Sequence, residues 1–280
     1  MNNFYTMKEV TNLYIDGCHD KVAAPVMKIF IKAVLAGAMI ALGAEGSSVA
    51  AHAVSNVGLA RLTAAVVFPV GLMMVILTGA ELFTGDCLIF MGAACKKHSV
   101  GQLIKMLVIV FLGNFLGAFL IAAGVAASGQ LDYSAGLLGA YTIKIALGKA
   151  TIPFGKAVVS GILCNILVCA AVVMAMCAKD ISGKLLVSFF VILLFVTSGF
   201  EHCVANMYYI SAGLLAALNP AYVQAAMTQY GYTAEQLAQL NVQGFLVTNL
   251  VPVTLGNIIG GMLCVGLPLV YLYHDKEKAA

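Results

Sequence analysis

Long apolar runs separated by short polar stretches dominate the chain. A hydrocarbon core about 30 Å thick is crossed by about 20 apolar residues in a helix. Each run reaches or exceeds that length, so the pattern predicts an all-α membrane protein with six transmembrane helices. The runs cover residues 30–54, 62–95, 102–127, 154–178, 185–218 and 244–273.

The second and fifth runs are too long for a single straight crossing. Each holds 34 residues, which would extend about 51 Å as a helix against a core of about 30 Å. Both also carry glycine and polar residues near the middle, at 78–86 and 197–202. Irregular backbone at membrane depth occurs only where protein satisfies its polar groups or it lines a cavity. We therefore predict that helices 2 and 5 are interrupted.

An internal repeat relates the two halves of the chain. Phe30-Ile-Lys-Ala-Val-Leu-Ala-Gly37 resembles Phe154-Gly-Lys-Ala-Val-Val-Ser-Gly161. Val110-Phe-Leu-Gly-Asn-Phe-Leu-Gly-Ala-Phe-Leu120 likewise resembles Val253-Thr-Leu-Gly-Asn-Ile-Ile-Gly-Gly-Met-Leu263. The glycines four residues apart indicate close helix packing, and we expect the paired asparagines to play a structural role.

Each repeat contains three crossings, so the second copy must enter the membrane from the opposite side. The pattern predicts an inverted 3+3 repeat within a six-span domain at 29–273, with the first repeat at 29–127 and the second at 154–273. Lysines lie before the first run, after the second and fourth, and at the C-terminus. The positive-inside rule then places both termini, including a short tail at 274–280, in the cytoplasm.

Residues 1–28 precede the first run and carry acidic residues without an apolar core. Thr6 and Glu9 have capping-box spacing. An apolar face would place this helix on the membrane or on its own protein, and a plainly solvated helix is the alternative. We predict a cytoplasmic amphipathic helix, with Met7, Val10, Leu13 and Tyr14 on its apolar face.

Composition supports a membrane protein and excludes several functions. The chain is 62% hydrophobic and 10% charged, and its mean hydropathy is +0.99, which leaves little room for a soluble catalytic domain. A net charge of +3 and the lack of a Gly-rich phosphate loop argue against nucleic acid and nucleotide cofactors. The eight cysteines are scattered singly, so we expect no metal site and no cofactor. Membrane lipid is the expected surrounding partner.

Glu201, His202 and Asn206 lie in the middle of the fifth run. Ionisable residues at membrane depth are unfavourable and usually mark a transport or proton path. Histidine has an ordinary pKa near 6.5, so it can exchange a proton with a weak acid. The alternative is a packing histidine bonded to a backbone carbonyl.

Interrupted helices expose backbone N–H groups at mid-membrane, which attract anions. Lys149, expected in a loop before the fourth run, would add positive charge at a pore mouth, unless it is an ordinary solvated lysine. Glu45 has Arg61 as a candidate partner. Apolar side chains could form constrictions that exclude hydrated ions, or simply belong to the core. The candidates are Phe68, Leu72, Leu82, Phe83, Val168 and Phe195.

Three motifs resemble the formate/nitrite transporter family over nearly the whole chain. They are Thr78-Gly-Ala-Glu-Leu-Phe-Thr-Gly85, Ser198-Gly-Phe-Glu-His-Cys-Val-Ala-Asn-Met207 and Pro252-Val-Thr-Leu-Gly-Asn-Ile-Ile-Gly-Gly261. The resemblance implies an aquaporin-like protomer, a homopentamer with one pore per subunit, and a bacterial inner-membrane location. It also implies transport of small monovalent anions such as formate, nitrite and hydrosulfide. Asp86, just after the first motif, departs from the family pattern.

The resemblance also implies roles for individual residues. His202 matches the central pore histidine and Thr84 the hydroxyl that can bond to it, with Asn257 as a nearby amide. Lys149 and Asn165 match the anion-attracting pair of the outer vestibule. Glu201 is expected to anchor backbone. One constriction matches Phe68, Leu72 and Phe195, and the other matches Leu82, Phe83 and Val168.

Among the branches of this family, the chain looks most similar to the hydrosulfide channels. The leading interpretation is a channel for anions of weak acids, hydrosulfide first, with His202 modulating passage. The alternative is a proton-coupled formate or nitrite secondary transporter. A membrane enzyme is a third interpretation, but it would need a clustered nucleophile or redox ligands, and the sequence contains neither. A single Asn219-Pro-Ala221 is similar to the aquaporin motif, but it lies outside the interrupted segments, so we do not expect water or glycerol as the substrate.

Overall fold

The computed structural model describes residues 4–274, so residues 275–280 of the predicted tail lie outside the described part. In chain order the helices are α1 (Met7–Ala23), α2 (Val26–Ala51), α3 (Val57–Val67), α4 (Val70–Thr78), α5 (Phe83–Asp86), α6 (Phe90–Ala94), α7 (Val100–Ala127), α8 (Leu137–Ala150), α9 (Phe154–Cys177), α10 (Ile181–Ser198), α11 (Cys203–Ala216), α12 (Pro220–Tyr230), α13 (Ala234–Leu237), α14 (Val251–Ile259) and α15 (Leu267–Tyr273).

Within residues 4–274, six helical segments are long and apolar enough to cross a membrane, which confirms the predicted architecture. They are Val26–Ala51, Val57–Thr78, Val100–Ala127, Phe154–Cys177, Ile181–Ser198 and Gly244–Tyr273. The first two begin several residues earlier than predicted, because Pro25 and Asn56 act as their N-caps. The last contains two π-helical segments, Gly244–Leu250 and Gly260–Gly266, which hydropathy alone does not reveal.

The second and fifth spans are interrupted in the same way. α4 ends at Gly79 with φ 63° and α10 ends at Gly199 with φ 72°, a left-handed conformation that glycine adopts without strain. The chain then passes through an extended residue, Leu82 or His202, before the next helix begins. Leu82 and His202 have the same φ of −112°. The two repeats therefore share one backbone design, and Leu82 is the counterpart of His202.

Asn114 on α7 holds the break in the second span. Its side-chain oxygen accepts a hydrogen bond from the N–H of Phe83 at 2.9 Å. Its amide nitrogen donates to the carbonyl oxygens of Glu81 at 3.0 Å and Ala33 at 2.7 Å. One buried amide thus satisfies backbone groups that the helix break leaves free.

Asn257 on α14 makes the equivalent three bonds in the second repeat. Its oxygen accepts from the N–H of Cys203 at 2.9 Å. Its nitrogen donates to the carbonyl oxygens of Glu201 at 3.0 Å and Gly161 at 2.8 Å. This agreement, contact by contact, supports the inverted repeat and gives the paired asparagines the expected structural role.

Close packing of α2 on α7, and of α9 on α14, brings each asparagine to its break. A Cβ on Gly117 would overlap the carbonyl oxygen of Val34, and one on Gly256 would overlap that of Val158. Only glycine permits this approach of the two backbones. The predicted small-residue spacing therefore has a packing role.

Three helices, α8, α12 and the single turn α13, lie in stretches that the hydropathy pattern leaves as loops. α8 buries Leu138, Ile143 and Leu147 against the rest of the protein. α12 follows α11 at an angle of 107°. Asn219 caps α12 by accepting a hydrogen bond from the N–H of Ala221 at 3.0 Å, which explains the Asn-Pro-Ala sequence as a helix start.

The N-terminal helix α1 has the predicted capping box between Thr6 and Glu9. Hydrogen bonds from the backbone and side chain of Thr6 lower the pKa of Glu9. The helix packs on its own protein through Val10, Ile15 and other buried residues. The predicted apolar face is wrong at Leu13, which is 57% exposed.

Candidate functional site

Two cavities enter the protein from opposite ends of the interrupted spans. The first, here called the His202 cavity, has a volume of about 250 Å³. The second, the Glu81 cavity, has a volume of about 560 Å³. Along α10, Lys184 near the start borders the Glu81 cavity and Phe195 near the end borders the His202 cavity. The cavities therefore approach each other along the axis of the bundle.

The barrier between the cavities is about one helical turn thick at the second span. Phe68 borders the His202 cavity, whereas Leu72, four residues later, borders the Glu81 cavity. Phe195 of α10 lies at the same depth as Phe68. The two ring centroids are 5.8 Å apart in an edge-on arrangement. All three side chains are buried. Phe68 and Phe195 thus form one apolar layer. Leu72, predicted to lie in the same constriction, lies on the side of this layer that faces the Glu81 cavity.

The second predicted constriction is also rearranged. Leu82 borders the Glu81 cavity. Val168 is buried one turn from Val172, which borders the same cavity, so Val168 lies at the depth of the barrier. Phe83 differs from the prediction, because its ring packs edge-on against Phe111 at 5.2 Å and borders an apolar groove between α7 and α14.

His202 lies at the barrier end of its cavity and is held by two hydrogen bonds. Its Nδ1 accepts from the backbone N–H of Ala205 at 3.1 Å, which caps α11. An Nδ1 that accepts carries no proton, so the proton of the neutral ring is on Nε2. Nε2 lies 3.0 Å from the hydroxyl oxygen of Thr84 and therefore donates to it. The backbone of the fifth span's break, through the N–H of Ala205, thus fixes the tautomer of the imidazole.

Asn165 is not part of an outer vestibule, contrary to the expectation from the resemblance. The residue is fully buried. Its amide donates to the carbonyl oxygens of Thr84 at 3.1 Å and Asn257 at 2.6 Å. Asn165 therefore connects the two breaks and positions Thr84 opposite the histidine.

Lys149 is neither a loop residue nor an ordinary solvated lysine. It lies in the last turn of α8 and borders the His202 cavity. Its ammonium group forms a 2.9 Å ion pair with Glu201 and lies 5.3 Å from the ring centroid of Tyr209. The Lys149 side chain is only 17% exposed. Much of its charge is thus compensated by a carboxylate.

Glu201 anchors more than backbone. Its second carboxylate oxygen accepts hydrogen bonds from Asn206 at 2.7 Å and Asn249 at 3.4 Å. Asn249 also donates to the carbonyl oxygen of Lys149 at 3.0 Å. Sequence reasoning missed Asn249, although an isolated amide within a long apolar run is a usable signal of a buried polar network.

The counterpart of Glu201 in the first repeat is Glu81, which has a different set of partners. Lys21 of α1 contacts Glu81 and Asp86, at 2.7 Å each. Lys32 of α2 lies 3.4 Å from Glu81. The departure from the family pattern at Asp86 therefore has a structural explanation, because the carboxylates of Asp86 and Glu81 both bind Lys21, in the last turn of α1.

Comparisons with known proteins agree with this geometry. Residues 8–271 match the family model described as formate/nitrite transporter. The chain is 38% identical to the formate channel FocA of Haemophilus influenzae, covering 87% of this chain and 86% of that protein. It is 34% identical to the formate channel FocA of Escherichia coli strain K12, covering 88% and 87%.

Solved structures agree as well. A structure titled pentameric formate channel with formate bound superposes with a TM-score of 0.77 at 31% identity, covering 89% of this chain and 98% of that one. The aquaglyceroporin of Plasmodium falciparum superposes with a TM-score of 0.51 at 18% identity, covering 89% and 100%, which shows a shared fold alone. The six spans, the paired helix breaks and these matches place the chain in the formate/nitrite transporter family, a family of membrane channels and transporters rather than enzymes.

Proposed function

We propose that the protein is a channel for small monovalent anions of weak acids, with formate as the main substrate and nitrite and hydrosulfide as further ones. The motifs resemble the hydrosulfide branch, but the similar proteins named above are formate channels, so formate takes first place. The observation that carries the proposal is the hydrogen-bonded pair of His202 and Thr84 at a thin apolar barrier between two cavities.

The barrier selects by dehydration. Phe68 and Phe195 offer no hydrogen bonds, so an ion must leave its water to pass them. His202 and Thr84 place an Nε2–H and a hydroxyl, hydrogen-bonded to each other, at this depth, and a passing anion that takes over these donors regains part of its lost hydration. An anion of a weak acid has a further route, because an imidazole that first takes up a proton from water at Nδ1, at the expense of its bond to Ala205, can pass the Nε2 proton to the anion and cancel its charge.

We further propose a homopentamer with one pore per subunit, supported by the similarity to a solved pentameric formate channel. The positive-inside pattern supports cytoplasmic termini in a bacterial inner membrane, and the FocA relatives support that membrane. The Glu81 cavity, which α1 borders, then faces the cytoplasm. The His202 cavity faces outward.

A proton-coupled secondary transporter is the second candidate, favoured by the closed barrier and by the imidazole within it. The two functions differ in what drives net movement. In sealed vesicles a channel equilibrates formate along its own electrochemical gradient. A coupled transporter accumulates formate against that gradient when a proton gradient is imposed.

The proposal is tested with purified protein in liposomes, by comparing fluxes of formate, nitrite, hydrosulfide and chloride. Protein-free liposomes provide the control, because the neutral acids cross lipid unaided. We expect protein-dependent flux of formate at least about tenfold above that of chloride, a difference of about 1.4 kcal/mol in barrier height. Equal rates for chloride and formate, or no protein-dependent formate flux, would contradict the proposal.

A further inference from the structure

Arg61 borders the His202 cavity and is the cation there whose charge is not compensated. The residue lies in the second turn of α3 and is exposed. The sequence left it as a candidate partner for Glu45, but within residues 4–274 no carboxylate forms an ion pair with it. Its hydrogen bond, to the carbonyl oxygen of Thr197, is long at 3.5 Å.

The geometry of the fifth-span break leaves room for this guanidinium. A Cβ on Gly199 would overlap Nη1 of Arg61, whereas a Cβ on the equivalent Gly79 would meet open space. Gly199, at the break of the fifth span, therefore lets the arginine lie beside the cavity. Most of the five N–H donors of the guanidinium are left for a ligand.

Lys149 borders the same cavity but differs in kind. Its ammonium is paired with the buried carboxylate of Glu201 at 2.9 Å, so attraction of a passing anion to Lys149 is partly cancelled. Along the His202 cavity, the described residues contribute no acidic side chain to the lining. The field felt by an anion entering this cavity is thus dominated by Arg61.

We propose that Arg61 is the capture site at the mouth of the His202 cavity, and that it prefers planar anions with two oxygens, such as formate and nitrite. A guanidinium donates two parallel N–H bonds to such an anion, whereas a spherical ion or hydrosulfide cannot accept both in that geometry. This inference rests on the proposed function and adds the residue that recognises the substrate class before the barrier.

The test measures one-sided conductance in planar bilayers, with formate or chloride added to one chamber at a time. Arg61→Gln removes the charge, whereas Arg61→Lys keeps the charge and removes the paired donors. From the His202 side we expect Arg61→Gln to raise the half-saturating formate concentration about tenfold and to weaken its ionic-strength dependence. Arg61→Lys should raise it about threefold for formate and leave chloride entry within about twofold.

Entry from the Glu81 side is the matched control and should remain unchanged in both variants. Equal changes from both sides would show that Arg61 only supports the end of α10 through Thr197, and unchanged formate entry in Arg61→Gln would also overturn the inference. If the wild-type protein conducts no formate, the proposed function itself fails. That outcome is distinct, because it appears before any variant is compared.

Discussion

The two halves of the molecule share a backbone and differ in chemistry. Each half ends a helix at a left-handed glycine, passes through one extended residue and is clamped by one asparagine. At the extended residue the first half has Leu82 and the second has His202. Five positions after Glu81 the first half has Asp86, and five positions after Glu201 the second half has Asn206. Duplication therefore supplied the scaffold twice, and the imidazole at the barrier occurs in the second copy alone.

The largest effect is expected from removing either clamp. Asn114→Leu and Asn257→Leu each delete three hydrogen bonds and leave three buried backbone groups without those partners. The N–H and C=O groups at the break have no helical partner to fall back on, and each costs about 1–3 kcal/mol when left unsatisfied. We expect both variants to fail to yield folded oligomer in size-exclusion chromatography after detergent extraction.

Asn-to-Ser variants at the same two positions are the milder comparison, since a hydroxyl keeps part of the bonding. Both should fold with lowered midpoints of thermal unfolding. If either leucine variant unfolds at the wild-type temperature, the two clamps are not equivalent and the shared scaffold is disproved.

Next in size is the contrast between Glu201→Gln and Glu81→Gln. The first leaves the nearly buried Lys149 without its carboxylate, a loss of about 3 kcal/mol for a buried pair. The second leaves Asp86 to hold Lys21, whose side chain is 36% exposed, so we expect about 1 kcal/mol or less. Thermal unfolding in detergent measures both, and a larger loss at Glu81 would reverse the interpretation.

His202→Leu replaces the imidazole by the side chain that its counterpart, Leu82, has in the first half. The N-cap bond to Ala205 is lost, at a cost of about 1 kcal/mol, so the protein should remain folded. We expect formate flux to fall at least about tenfold, because a barrier that keeps only the Thr84 hydroxyl replaces much less of the hydration that the anion loses. Liposome flux between pH 5 and 8 measures this, with Leu82→Ile as the control on the opposite cavity. Unaltered flux across that range would remove His202 from the pore.

The smallest effect is expected from Asp86→Asn, which gives the first half the amide of the second. Lys21 retains its bond to Glu81, so stability should change by less than about 1 kcal/mol. The Glu81 cavity gains one unit of positive charge. Anion entry from that side should rise about twofold at low ionic strength and return to wild type in high salt. A decrease would show that Asp86 acts through the docking of α1.

Hydropathy and internal repetition were enough to predict the fold, because a bilayer imposes length and backbone satisfaction on every span. They could not predict α8, which is buried by contact with α11 and α12 rather than by lipid. Nor could they show that Lys149 is paired with Glu201, or that Asn165 faces Thr84. Those contacts join residues far apart in sequence, and no local pattern contains them.

The side chains of the barrier show the same limit of prediction from sequence. Phe68 and Leu72 lie on one helical face, so the sequence predicts that they occur together. Whether a cavity ends before or after a given turn depends on the opposing helix, and Phe195 settles that position. Periodicity thus predicts which face of the helix lines the pore, but it does not predict the depth at which the barrier lies.

The most direct test of the account is the reversal potential of the wild-type protein in a planar bilayer with unequal formate and equal pH on the two sides. A channel for formate predicts a measurable current whose reversal potential follows the formate gradient and does not move when a pH gradient is added. Protein-dependent formate movement without current, or a reversal potential that follows the proton gradient, would contradict the channel and favour coupled transport.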